Sequence, residues 1–587
     1  MNRKLRRASS KQAPTPGFEP ALNALGVAAD LCRRAAQHAN LGELNTAAAI
    51  YKRALAIQPS HEPTHEGLAH VYLSQGKLAK ASAQYVELAR VLPQTLNDFA
   101  KVLRTLKRLI PTLEACLANA ATASIETLSE KSIVEAQDAS SIAANPYFRI
   151  VLESTTVRDI GLERWLTALR GAMLRATLAG EQLAGDHLLA FASALAQQCF
   201  INEYVFAASP AETEQVQRLE AMLTEATEPG APLDAMYLLV CAMYAGLNSL
   251  PNVSAIAART WPGRLAAVLT QQVHEPKLEQ DLRASMPRLT PISGGVTAEV
   301  REQYEENPYP RWVRLRTPPN VLANLDEQIR LQFPAVPFRP VGHGDLLEVL
   351  EAGCGTGRHA LEFAQTYRGA RVLAVDLSLA SLASAKRKIP PALSDSIEFA
   401  QADILLIGSI GRSFDLINTG GVLHHMGDPL GGWRELIRLL KPNGLMQVGL
   451  YSAYARREVV AVRKRVAERG YRPTPDDIRC CRQELIDGSE QFRFMGLNDF
   501  FATSDCRDLL FHVHEQQFTI PEIKDFLAEN DMRFIGFQFR SNEEHNHYRN
   551  LFAQAGWSFS DLDRWDAFER EHPDVFIAMY NFWIQRT

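Results

Sequence analysis

Long apolar runs are missing from this chain of 587 residues. No stretch approaches the roughly 20 consecutive apolar residues that a membrane-crossing helix requires, and the basic opening Met1 to Ser10 lacks the apolar centre of a secretory signal. A disordered basic tail over 1–20 is the expectation for that end; its arginines and serines, with no acidic residue before Glu19, also fit an organellar presequence. Cysteine is sparse and scattered, at 32, 116, 199, 241, 354, 480, 481 and 506. None forms a CxxC pair, so neither a zinc site nor a disulfide framework is supported, no metal is expected, and a reducing cytoplasm is the compartment that fits. Excess charge of one sign is also lacking. A formal charge of -5 spread over 22% charged residues leaves no basic field of the kind nucleic acid or an anionic membrane demands, so neither is expected as a partner.

What is present is apolar content of 46%, enough for packed cores in a chain too long for one of them. Three or four units are expected. Gly42, Ala47, Tyr51 and Pro59 recur as Gly76, Ala81, Tyr85 and Pro93, each 34 residues on. That period and those residue types resemble the tetratricopeptide repeat, with small residues letting paired helices approach and the tyrosines filling the space between repeats. Helical repeats are therefore expected over 21–118, with 96–118 as a following or capping helix. Such arrays bind peptides, which suggests a protein partner or protein substrate; a spacer role carries equal weight with two repeats visible.

Residues 119–145 are rich in Ala, Ser and Thr and read as a boundary. Beyond them the spacing of Leu162, Trp165, Leu166, Leu169 and Met173 predicts helices, and an all-helical domain is expected over 146–285. The dense stretch Gln197 to Phe206 reads as a packed helix turn. Residues 286–295 have the Pro, Ser and Gly content of a linker. Just past it, Pro308 and Pro310 stiffen a segment that carries Tyr304, Tyr309 and Trp312, placed either as a wall over a pocket and its substrate or as a clamp on the domain surface.

From Leu346 the order becomes strand, helix, strand, helix, that of a doubly wound α/β domain. The strand ending at Glu351 runs into Gly353, Gly355 and Gly357, a tight turn opening a helix, where backbone N–H groups favour an anionic ligand group. The dinucleotide fingerprint G-x-G-x-x-G/A is not met, because Arg358 stands at its last position, and NAD and FAD are disfavoured. Asp376 ends the next strand about 20 residues on, where a carboxylate accepts from ribose hydroxyls.

The ordered set Glu351 to Gly357, Asp376, Ala402–Asp403, Phe414 to Asn418, Gly421 to Pro429 and Leu440 to Gly444 resembles the motifs of class I S-adenosylmethionine-dependent methyltransferases. The resemblance implies a Rossmann-like, seven-stranded mixed sheet over 296–587, preceded by all-α repeat and helical domains, with an insertion over 452–515. It implies S-adenosylmethionine as cofactor, with Gly353, Gly355 and Gly357 along its methionine half, Asp376 on the ribose, Asp403 at the adenine amino group and Asn418 beside the sulfonium. Glu351, Cys354, Leu377 and Ala402 belong to the same donor-binding set. Asn443, where glycine is usual, tolerates the left-handed turn.

His424 and His425 follow the fourth strand, where either imidazole could take a proton from an attacking atom, with loop-fixing as the alternative. His512 and His514, and His545 and His547, have the alternate spacing of metal ligands on a strand face, but with no third ligand set evident they are expected to be solvated loop residues. The chain also resembles bacterial proteins that join tetratricopeptide repeats to a methyltransferase domain. A methyltransferase with an unidentified acceptor is the reading reached here. A non-catalytic, donor-binding scaffold that assembles partners through its repeats is the alternative.

Overall fold

The computed structural model describes residues 18–122, 142–181, 185–225, 233–314, 322–342, 344–490, 492–577 and 579–586. The expected basic tail lies almost wholly outside them. Contacts divide the chain into two compact units: 1–111 with 145–147 and 319–321, and 112–144 with 148–318 and 322–587.

The first unit is built of antiparallel helices, Phe18–Asn40, Leu44–Ile57, Glu62–Ser74, Leu78–Val91 and Phe99–Leu109. Ala47, Ala81, Tyr51 and Tyr85 are buried at the helix contacts. The repeating glycines act differently from the expectation. Gly42 and Gly76 take φ of 80° and 70° in the turns, with open space where a Cβ would stand, so their role is the left-handed turn and not helix approach. Close approach occurs instead at Gly67, where a Cβ would collide with the Tyr51 ring. The single helix expected over 96–118 is two, because Ile110–Pro111 ends the first and Leu113–Thr122 follows.

The second unit carries both the helices between 148 and 314 and the sheet. Its strands are β1 (Leu347–Ala352), β2 (Ala370–Asp376), β3 (Ile397–Gln401), β4 (Phe414–Gly420), β5 (Leu440–Leu450), β6 (Met532–Phe537) and β7 (Tyr580–Arg586), in the order β3-β2-β1-β4-β5-β7-β6. β7 alone runs antiparallel to its neighbours, closing the seven-stranded mixed sheet. The central strands are apolar almost throughout because helices cover both faces of the sheet. Chain order reverses between β1 and β4, so their C-terminal ends diverge into a crevice, the place where open α/β sheets bind ligands.

Three segments differ from their sequence reading. Residues 286–295, expected as a linker, lie along the end of β3: Leu289 N–H donates to the Gln401 carbonyl at 2.9 Å, and Gln401 N–H to the Pro287 carbonyl at 2.8 Å. Residues 452–515, expected as an insertion, hold their own apolar core of Val462, Ile478, Phe494, Phe500 and Leu509. The stretch Gln197 to Phe206 does more than pack. After the helix Asp186–Ile201, Glu203 and Tyr204 take left-handed φ of 54° and 59°. The turn so formed receives the N-terminus of the helix Thr503–Phe511: Ser504 N–H donates to Glu203 Oε2 at 2.6 Å and Thr503 N–H to the Asn202 carbonyl at 3.2 Å. A buried pair, Arg482 and Glu163, ties the same two layers together, with Nη2 2.7 Å from Oε2.

Candidate functional site

A cavity of about 250 Å³ opens at the crevice between β1 and β4. Of the sequence-predicted residues, Gly353, Cys354, Gly355, Asp376, Leu377, Ala402, Asp403, His425, Tyr304 and Tyr309 line it; Glu351, Gly357, Asn418, His424 and Trp312 do not.

The glycine turn follows β1 with φ of 79°, 50° and 80° at Gly353, Gly355 and Gly357. A Cβ at each would strike protein: the Val422 side chain, the Tyr309 carbonyl and Ala385 respectively. Part of the demand for glycine therefore comes from the segment that covers the turn. Thr356 N–H donates to the Tyr309 carbonyl at 3.2 Å, Thr356 Oγ1 to the Pro310 carbonyl at 2.5 Å, and Trp312 Nε1 to the Thr356 carbonyl at 3.1 Å and Oγ1 at 2.9 Å. Within the proline-stiffened segment Trp312 is tied to the turn, while Tyr304 and Tyr309 line the cavity.

Asp376 closes the turn from β2, accepting from Gly355 N–H at 2.8 Å and from Ser378 N–H at 2.9 Å. Burial raises its carboxyl to about 6 against these hydrogen bonds, which pull the other way. Asp403 has both oxygens engaged, Oδ1 by Leu405 N–H at 3.0 Å and Oδ2 by Ser293 N–H at 3.0 Å. Asn418 and Glu351 form a buried couple under the floor, Nδ2 lying 2.9 Å from each carboxylate oxygen. Burial raises the Glu351 carboxyl.

The two histidines part ways. His424 is fully buried and stacks on Tyr451 at 3.8 Å between ring centroids, away from the cavity. His425 faces the cavity with Nδ1 2.9 Å from the His514 carbonyl. A carbonyl only accepts, so Nδ1 carries the hydrogen and Nε2 keeps its lone pair. Burial lowers the pKa of both rings and favours the neutral form.

Sequence reading missed the opposite wall. Asp508, on the helix capped by Glu203, lines the cavity; Tyr304 Oη donates to its Oδ1 at 2.6 Å and lies 3.2 Å from His512 Nε2. His512, expected to be solvated, is buried, and its ring stacks on His425 at 3.7 Å. His545 is buried as well, its Nε2 3.1 Å from the Gln332 carbonyl. Glu515 is buried between Arg456 at 2.5 Å and Arg463 at 2.9 Å. Tyr451, directly after β5, was findable from topology, since a residue leaving the strand beside β4 must emerge at the same crevice. Ligand-type atoms of His425, Asp508 and His512 lie within 4.8 Å of one another. Within this group His514 N–H donates to His512 Nδ1 at 3.0 Å, which leaves the hydrogen on Nε2 to donate to Tyr304.

The class of domain defined by this sheet and crevice agrees with comparison to known proteins. Residues 350–448 match a methyltransferase domain model and residues 40–109 a tetratricopeptide repeat model. An uncharacterised protein of Synechococcus sp. is 25% identical over 254 residues, covering 41% of this chain and 60% of its own. The demethylmenaquinone methyltransferase of Lactococcus lactis is 32% identical over 104 residues, 17% of this chain and 41% of its own. PKMT2 from Rickettsia typhi, solved in complex with AdoHcy, is 17% identical with a TM-score of 0.34, covering 44% and 53%. The chain thus spans about half the length of the relatives it matches. It is a protein with a methyltransferase domain and tetratricopeptide repeats. Among the described residues no helix is long and apolar enough to cross a membrane.

Proposed function

We propose that the C-terminal domain transfers a methyl group from S-adenosylmethionine to an oxygen or nitrogen acceptor that enters between Tyr304, Tyr309 and His425. The observation that carries this is the convergence, in one cavity, of the glycine turn, the strand-ending Asp376 and a histidine with a free Nε2 lone pair. The residues present fit the donor. Left-handed glycines leave the turn free of side chains, the Asp376 carboxylate stands where ribose hydroxyls can donate, and Ser381 Oγ is buried at the wall with no partner among the described residues. Gly353, Cys354 and Gly355 would hold the methionine half. Asp376 and Leu377 would hold the ribose. Ala402 and Asp403 would border the adenine, although Asp403 already accepts two backbone hydrogen bonds. Glu351 and Asn418 act from beneath, fixing the ends of β1 and β4.

When bound, S-adenosylmethionine supplies a methyl carbon already activated by its sulfonium. The chain then has to orient the acceptor, exclude water and remove a proton. Tyr304, Tyr309 and Tyr451 provide the wall that excludes water. His425 Nε2 takes the proton of an O–H or N–H acceptor, with Nδ1–H anchored on the His514 carbonyl to hold the tautomer. The repeats present a binding surface for a protein partner or protein-linked acceptor. A reducing cytoplasm is the setting, in keeping with cysteines that form no disulfide among the described residues.

Calorimetry with S-adenosylhomocysteine tests the donor site: micromolar binding by the wild-type chain is expected, and absence of binding overturns the reading. Labelled methyl transfer in a cell extract tests the chemistry. Donor binding without incorporation into any acceptor would favour the scaffold instead.

A further inference from the structure

A second cavity, of about 380 Å³, shares no lining residue with the first. Its walls come from the C-terminal end of the helix Leu379–Lys388, the facing helix Glu275–Ala284, the turn before it and the loop at Arg311–Trp312. Charges at this place are unevenly matched. Arg387 is shared by Glu275 at 2.9 Å and Glu279 at 2.8 Å. Arg311 has Glu203 at 3.7 Å and donates to the Phe200 carbonyl at 3.2 Å. Lys388 has no carboxylate partner: among the described residues its Nζ donates to the Trp312 carbonyl at 3.0 Å and sits 4.2 Å from the Trp312 ring centroid. An ammonium has three N–H groups, so two remain for something in the cavity.

Burial, then the charges of Arg311 and Arg387, depress Lys388 to about 7 against the opposing pull of Glu279 and Glu275, so the ammonium is one that a further anion would favour. On the same lining the acceptor Oε1 of Gln271 is buried and, among the described residues, has no hydrogen-bond partner. Gln271 belongs to a π-helical turn, Thr270–His274, a local irregularity that accompanies binding sites more often than packing requires. Basic residues at a helix C-terminus complement the helix dipole, and a lysine can simply hold an indole in place. Those roles explain Arg387 and the ring contact. They leave the space, the unmatched N–H groups and the orphan amide oxygen without a cause.

We propose that this cavity binds a small oxyanion, a carboxylate or a phosphate, whose charge meets Lys388 and whose hydroxyl donates to Gln271. The proposal is independent of methyl transfer, because none of its residues lines the donor cavity. Titration of the full chain by calorimetry, with L-malate and glycerol 3-phosphate as probes in chloride buffer of constant ionic strength, tests it. Saturable binding of either acid is expected, weakened at least tenfold in Lys388→Met. Malate alone identifies a carboxylate ligand, and glycerol 3-phosphate alone a phosphate ligand. Binding of neither, or equal binding by Lys388→Met, overturns the proposal. Glu279→Gln removes a carboxylate from the same wall and should tighten binding several-fold. Unchanged affinity in that variant overturns the proposal even if Lys388→Met does not fold.

Discussion

Asp376 and His425 are shifted by the same cause, burial, in opposite directions. The carboxyl rises to about 6, so it becomes neutral as pH falls through that value and loses its strength as an acceptor for ribose hydroxyls. Donor affinity should therefore be flat above about pH 7 and fall about tenfold per pH unit well below 6, as read by calorimetry across that range. Removing the group altogether, in Asp376→Ala, should weaken S-adenosylhomocysteine binding by about 2 kcal/mol, roughly 30-fold. His425 has its pKa lowered, so it stays an unprotonated base across neutral pH, and the acidic limb of the rate profile should lie below its ordinary 6.5. His425→Gln should cut the turnover of an O or N acceptor by roughly 100-fold or more without changing donor affinity. The same change at His424 perturbs packing on Tyr451, and should be read in thermal stability before turnover.

At the scale of elements, the segment Tyr309–Trp312 and the glycine turn are one assembly. Gly355→Ala would push a methyl group into the Tyr309 carbonyl and strain a φ of 50°, so it should destabilise the domain by about 1–3 kcal/mol in chemical denaturation as well as impair donor binding. Local order made much of this region legible from residues alone. Periodicity 34 marked the repeats, and the spacing of Gly353, Gly355, Gly357 and Asp376 marked the crevice, because both are written into contiguous residues. Asp508 and His512 were not legible. Asp508 reaches the cavity, and His512 packs behind His425, through a helix in the 452–515 segment whose start is held by Asn202 and Glu203, 300 residues earlier in the chain, and no local pattern reports such a contact. Nor does any local pattern report that Arg482 is buried against Glu163, more than 300 residues away in sequence.

Over the whole molecule, the helices between 148 and 314 belong to the same compact unit as the sheet. Arg482 finds its counterion on Glu163, and both are buried, so removing one partner leaves an uncompensated charge at a cost of about 3–5 kcal/mol. Glu163→Gln should accordingly lower stability by several kcal/mol in urea titration, whereas Glu163→Met with Arg482→Met should recover much of the loss. A chain beginning at residue 296 would lack Glu163, Asn202 and Glu203 together. It should unfold at least 10 °C below one beginning at residue 112, by the scaling of about 2–4 °C per kcal/mol for domains of this size.

Trp312 gives the molecule a built-in optical reporter. Its indole nitrogen is tied to the turn at Thr356, while an ammonium faces its ring from the other cavity. Tryptophan emission responds to hydrogen bonding at the nitrogen and to nearby charge. Filling either cavity should therefore shift the emission spectrum of the unlabelled protein, and Trp312→Phe, which leaves the other six tryptophans in place, should abolish that shift.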